Sequence, residues 1–127
     1  MVPQNLRYTK EHEWLRLEAD GTVTLGITDH AQDALGDVVY VDLPDVGAQF
    51  SGNEAIGAVE SVKAASDVFV PVDAEVLEIN ELLKDEPALV NEDCYGKGWF
   101  VRLKLSNVDD LNALLDAAAY EAFLADA

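Results

Sequence analysis

Cysteine occurs once, at Cys94, and histidine twice, at His12 and His30. A lone thiol closes no internal disulfide, so a reducing compartment is the expectation. Its neighbours Asn91, Glu92 and Asp93 are acidic or amide. They would raise a thiol pKa rather than lower it, so Cys94 does not read as an activated nucleophile. Two histidines without a Cys-His spacing predict no metal site, although His12 and Glu13 are ligand types side by side. Basic residues are scarce as well, 8 Lys and Arg against 25 Asp and Glu, for a formal net charge of −17. That balance excludes nucleic acid and anionic membranes as partners and favours partners with basic docking patches; a salty habitat would produce the same bias. No apolar run reaches the length of a membrane span, and Met1-Val2-Pro3-Gln4 opens no signal or transit peptide. The chain therefore reads as a complete cytoplasmic protein. Absent too are a Gly-rich phosphate loop, a Gly-x-Ser-x-Gly elbow, a Cys-x-x-Cys pair and a nucleophile-base combination. The acidic pair Asp109-Asp110 falls at a predicted helix start, where it favours the dipole rather than catalysis.

What is present is a chain of 127 residues, half of them apolar, enough for one domain over 1–127 with a modest core. Lys10 to Glu18 leads into Asp20-Gly21, a hairpin signal, and Val23, Leu25 and Ile27 then share one face of an antiparallel ribbon. Asp29 is placed to cap a short helix, with Gln32 as its partner, Ala31, Ala34 and Leu35 as its apolar side and Gly36 at its end. Asp37 to Leu43 reads as a buried strand stopped by Pro44. Ala74 to Ile79 alternates acidic with apolar residues, then yields at Asn80 to a helical turn over Glu81 to Lys84. Pro87 to Gly98 is the longest irregular stretch, with Tyr95 as a loop contact residue. Trp99, Val101, Leu103 and Leu105 alternate against Phe100, Arg102 and Lys104, as in a half-buried strand. The tail reads as a helix beginning near Asp109, with Leu111, Leu114, Leu115 and Ala118 at helical spacing before Tyr120, Phe123 and Leu124.

One stretch is chemically distinctive. Val59 to Asp67 sets Lys63 between Glu60 and Asp67 among small residues, leaving a flexible amine sterically open. By propensity alone it is a short helix with a solvated lysine. Its flanks, Ala55 to Val59 and Val68 to Val72, are β-rich, and a helix of a turn or two between strands is costly to nucleate. Lys63-Ala64 is therefore placed at the tip of a tight hairpin, without the usual Asn-Gly signal.

Several segments, in order, resemble one family. Tyr8-Thr9-Lys10-Glu11-His12-Glu13-Trp14, Gly26-Ile27-Thr28-Asp29-His30-Ala31-Gln32, Leu35-Gly36-Asp37-Val38-Val39, Glu60-Ser61-Val62-Lys63-Ala64-Ala65-Ser66-Asp67 and Leu89-Val90-Asn91-Glu92 are similar to the glycine cleavage system H protein. The similarity runs from about Tyr8 to Leu124. It implies a mainly β fold, a barrel-sandwich hybrid like that of lipoyl domains, with short helices and a C-terminal helix. It implies lipoic acid in amide linkage to Lys63, put there by a lipoate-attaching enzyme for which Glu60 is a candidate recognition residue. The family carries the aminomethyl group of glycine from the pyridoxal-phosphate decarboxylase (P protein) to the tetrahydrofolate-dependent T protein, and is reoxidised by the dihydrolipoamide dehydrogenase (L protein). Such a protein is a carrier, not an enzyme, and a monomer is expected. Since the carried group is cationic, Glu13 and Asp67 are the carboxylates expected to line its resting cleft; solvated loop charges are the plainer reading. Asp73-Ala74 stands where the family usually has Ser-Gly, and Cys94 where proline is common, putting a free thiol on that loop.

Other classes remain distinguishable. A role in relaying lipoyl groups to other complexes would show in the lipoylation of 2-oxoacid dehydrogenases. A binding module with an inert Lys63 would tolerate its replacement. Biotin carriers flank their lysine with Met, and lipoyl domains of 2-oxoacid dehydrogenases usually read Asp-Lys-Ala and hang on linkers; Val62 and Ala64 flank Lys63 here.

Overall fold

The computed structural model describes residues 2–126. In chain order its strands are β1 (Arg7–Tyr8), β2 (Glu13–Leu17), β3 (Val23–Ile27), β4 (Val38–Asp42), β5 (Gln49–Phe50), β6 (Glu54–Ser61), β7 (Ala65–Val70), β8 (Ala74–Ile79) and β9 (Val101–Leu105). The helices are α1 (Asp29–Leu35), α2 (Leu82–Asp85), α3 (Leu89–Glu92) and α4 (Ala117–Asp126), with a 3-10 helix at Val108–Ala113. Two antiparallel sheets result, a six-stranded one in the order β1-β2-β3-β9-β8-β5 and a three-stranded one in the order β4-β6-β7. The fold is mainly β, as the resemblance implies, and neither sheet closes on itself.

Alternation explains most of the core. Leu25, Val59, Val70, Val76 and Leu103 are buried in one cluster between the sheets. A second cluster joins Leu6, Tyr8 and Trp14 to Ala117 and Tyr120 of α4. Trp14 reaches it because its cross-strand partner is Gly26, where a Cβ would stand 2.6 Å from the indole ring. The β2-β3 ribbon turns through Asp20-Gly21 as predicted, with Gly21 at φ +87. Its loop is the longer, bulged kind: Glu18 N–H donates to the Thr22 carbonyl and Gly21 N–H to the Glu18 carbonyl.

Several expectations are corrected. The cap of α1 is Thr28, whose hydroxyl accepts from Ala31 N–H; Asp29 instead accepts from the Gln32 side chain, and Gly36 ends the helix as read. Strand β4 lies at a sheet edge and is irregular between Val38 and Tyr40, so Val39 and Tyr40 are exposed rather than buried. The stretch Pro87 to Gly98 contains α3. Phe100 is buried because regular alternation begins only at Val101. The tail is not one helix. Leu115 pairs in extended form with Tyr8, separating the 3-10 helix from α4 and leaving Ala118 exposed.

Candidate functional site

Strands β6 and β7 pair from Glu54–Val70 to Glu60–Ala65 and hold Lys63 at their connecting tip, as read from the sequence. Ser61 builds the turn: its N–H donates to the Ala64 carbonyl at 2.7 Å, and its hydroxyl accepts from Lys63 N–H at 3.2 Å and Ala64 N–H at 3.1 Å. No residue of the tip takes a positive φ. The two-residue turns that need Asn-Gly are thus not used, which is why that signal is missing. Val62 N–H donates to the Asp37 carbonyl at 3.1 Å, tying the tip to the entry of β4.

Lys63 is exposed, and among the described residues its amine makes no ion pair. Its stem crosses Gly36, where a Cβ would lie 2.9 Å from Lys63 Cε. Gly36 also has φ +80. The positive φ favours glycine at that position, whereas the exposed, flexible lysine stem could move aside for a Cβ. The stem leans on the end of α1, a helix that forms one wall of a cleft.

That cleft measures about 300 Å³. Ile27, Leu35, Val59 and Val68 give it apolar surface, while Glu13, His12, His30 and Asp67 give it polar surface. Glu13 is only 2% exposed. One carboxylate oxygen accepts from the Thr9 hydroxyl at 2.6 Å, the other from Phe69 N–H on the free edge of β7 at 3.2 Å. Burial pushes its pKa up to about 7 despite those two bonds, with Glu11 adding to the rise. The plainer reading of Glu13 as a solvated loop charge is thereby overturned.

The turn before Glu13 explains its placement. Thr9 N–H donates to the Glu13 carbonyl and His12 N–H to the Thr9 carbonyl, with His12 at φ +69. The imidazoles of His12 and His30 stack with centroids 4.3 Å apart. Burial first, then His30, lowers the His12 pKa, against a smaller opposing pull from Glu11.

Asp67 and Glu60 are both exposed. Asp67 borders the cleft, but Ser66 is the residue paired with buried Val59 and sharing the face of buried Val68. Strand alternation thus turns Ser66, rather than Asp67, toward the cleft interior. Glu60 lies opposite Tyr40 and Ala65, next to the tip. The sequence reading did not single out Thr9, His30, Ser66 or Gly36 for the cleft. Their only advance signal was position within the quoted motifs.

An apolar trough ending at a buried carboxyl suits a short aliphatic chain with a cationic end. The comparisons bear on what such a chain is for. The family described as "Glycine cleavage H-protein" matches residues 6–127. A glycine cleavage system H protein of Psychrobacter sp. (strain PRwf-1) is 58% identical over 123 residues, 97% of this chain and 98% of its own length. That of Chromobacterium violaceum is 60% identical over 119 residues, 94% and 93% of the two chains. The chain belongs to the glycine cleavage H-protein family. The crystal structure of a glycine cleavage system H protein from Mycobacterium marinum shares the fold, with a TM-score of 0.89 at 37% identity over 98% of this chain and 99% of that one.

The two departures from the usual H-protein pattern lie away from the cleft. Asp73 accepts from Gly52 N–H at 2.7 Å, and no positive φ is needed at Asp73 or Ala74. Cys94 is a free thiol, as expected, but a buried one, its pKa pushed up to about 12 by that burial. No helix among the described residues is long and apolar enough to cross a membrane.

Proposed function

We propose that the chain is the lipoylated shuttle of the glycine cleavage system, one carrier domain over 1–127 that acts as a cytoplasmic monomer without catalysing a reaction itself. Its partners are the P, T and L proteins of that system and a lipoate-attaching enzyme. One observation carries the reading: an exposed, unpaired Lys63 leans on the wall of a cleft that contains a buried carboxyl. These residues fit a lipoyl group. Lys63 offers the amine for its amide, Gly36 clears the stem, and the trough of Ile27, Leu35, Val59 and Val68 accepts an aliphatic chain.

Once attached, lipoic acid supplies a dithiolane that thiol chemistry opens and recloses. The remaining work falls to the protein. Forming the amide removes the Lys63 charge, so the tip no longer carries a cation that would compete for the carboxylates. Glu13, about half protonated near neutrality, would hold a cationic end of the bound group as a carboxylate, its proton passing to water. A carboxylate beside a cation in an apolar trough is favoured by that pairing. Asp67 and Ser66 offer further polar contacts at the rim. Glu60, close to the tip and exposed, is the candidate for reading by the attaching enzyme.

Protein from cells supplied with lipoate is expected to carry one lipoyl mass increment on the Lys63 peptide. Lys63→Arg should lose the increment and glycine cleavage with P, T and L proteins together. A fully unmodified Lys63, or undiminished glycine cleavage by the variant, would overturn the reading.

A further inference from the structure

We infer that Tyr120 of the C-terminal helix is a positioning residue for the cleft, its one hydroxyl holding two walls of the cleft in place. The inference deepens the carrier reading and rests on the same cleft. The Tyr120 hydroxyl lies 2.8 Å from His12 Nδ1 and 2.8 Å from the Thr28 hydroxyl. His12 belongs to the turn that delivers Glu13, and Thr28 is the cap of α1, the helix that supplies His30, Ala31 and Leu35 to the opposite side.

The two walls are joined a second time by Thr28 N–H donating to the His12 carbonyl at 3.0 Å. Tyr120 is fully buried, so a lost partner there would not be replaced by bulk water. The chain of hydroxyls can run in either direction: Thr28 donates to Tyr120 and Tyr120 to His12 Nδ1, or His12 Nδ1–H donates to Tyr120 and Tyr120 to Thr28, whose oxygen also accepts from Ala31 N–H. In both, the one phenol hydroxyl bonds both walls.

The His12 backbone adds weight. A non-glycine residue at φ +69 is held only where surrounding contacts compensate for the strain. Here a buried hydroxyl on a distant helix provides one of them. Tyr120 is itself anchored by its ring, stacked on Tyr8 at 4.6 Å and 7°. Removing the hydroxyl while keeping the ring frees the His12 turn and admits water to Glu13. The charged or titratable groups around Glu13 are Glu11 and His12 on its own turn, His30 on α1 and Asp67 on β7.

The test uses the full, unlipoylated chain and follows the Glu13 carboxyl by carbon NMR, assigned through Glu13→Gln. In Tyr120→Phe the Glu13 midpoint is expected to fall by at least about one pH unit toward the ordinary carboxylate value. Tyr8→Phe is the control. It removes another buried phenol of the same cluster, one that donates to the Pro3 carbonyl and does not touch the cleft. An unchanged midpoint in Tyr120→Phe, or an equal fall in both variants, overturns the inference. If Tyr120→Phe does not fold, Thr28→Val breaks the same chain at its other end and is judged by the same midpoint.

A second readout is the loss of the aminomethyl group from lipoylated protein loaded by the decarboxylase, expected to be about tenfold faster in Tyr120→Phe than in Tyr8→Phe. A shifted midpoint with unchanged release, even in Glu13→Gln, sinks the cleft reading while the role of Tyr120 in holding the walls stands.

Discussion

At the scale of single residues, Glu13 makes the most quantitative commitment. Its carboxyl titrates at about 7 in the folded protein against 4.5 ordinarily. The folded state therefore keeps a proton through a window in which the unfolded chain has lost it. The resulting stability is fully present below pH 4.5 and is lost as pH rises through 7. A shift of this size corresponds to about 3 kcal/mol. Glu13→Gln keeps acceptor and shape without the titration. The stability difference between wild type and variant should change by about that amount across the window in urea melts at stepped pH; a difference flat with pH would refute the burial of Glu13. The sequence displays only a carboxylate beside a histidine. What takes it inside is the pairing of Glu13 with Ile27 and the left-handed turn at His12, and neither has a local pattern.

At the scale of elements, the lysine hairpin depends on Ser61. Ser61→Ala removes the acceptor for two amides at the tip and should cost about 1 kcal/mol. Hydrogen exchange at the Lys63 and Ala64 amides should quicken about fivefold, the change that about 1 kcal/mol makes in an opening equilibrium, and lipoate attachment should slow with it. Protection equal to that of wild type would mean that Ser61 does not hold the turn. Strands were the legible part of the fold, because a period of two survives wherever one face meets the core, as in β3, β8 and β9. The hairpin was legible against helix propensity because its flanks were β-rich. Less visible was anything decided by a partner far along the chain. Val39 and Tyr40 resemble interior residues and lie at an exposed edge, and the tail that resembles one helix is interrupted where Leu115 bonds to Tyr8.

At the scale of the whole molecule, the formal charge of −17 is the dominant long-range feature. Encounter with basic docking patches should be accelerated at low ionic strength and screened as salt is added. Raising salt from about 0.05 to about 0.5 M is expected to slow the initial rate of lipoate attachment several-fold, with little change once enzyme is saturating. A rate indifferent to salt would remove the case for charge-guided docking. Composition made this legible; the cleft was not, because its walls come from the turn before β2, α1, β6 and β7, which lie far apart in the chain. The resemblance named Glu13 and Asp67 together, and both line the cleft, Glu13 buried and Asp67 exposed at its border.

The hairpin turn uses no left-handed residue; Ser61 takes the Lys63 and Ala64 amides, and the Asp37 carbonyl takes that of Val62. Geometry consequently makes no demand on which side chains occupy 62 and 64. Those flanking positions are free to drift as an address for whichever ligase must find the lysine. Recognition and foldability can then evolve separately within four consecutive residues.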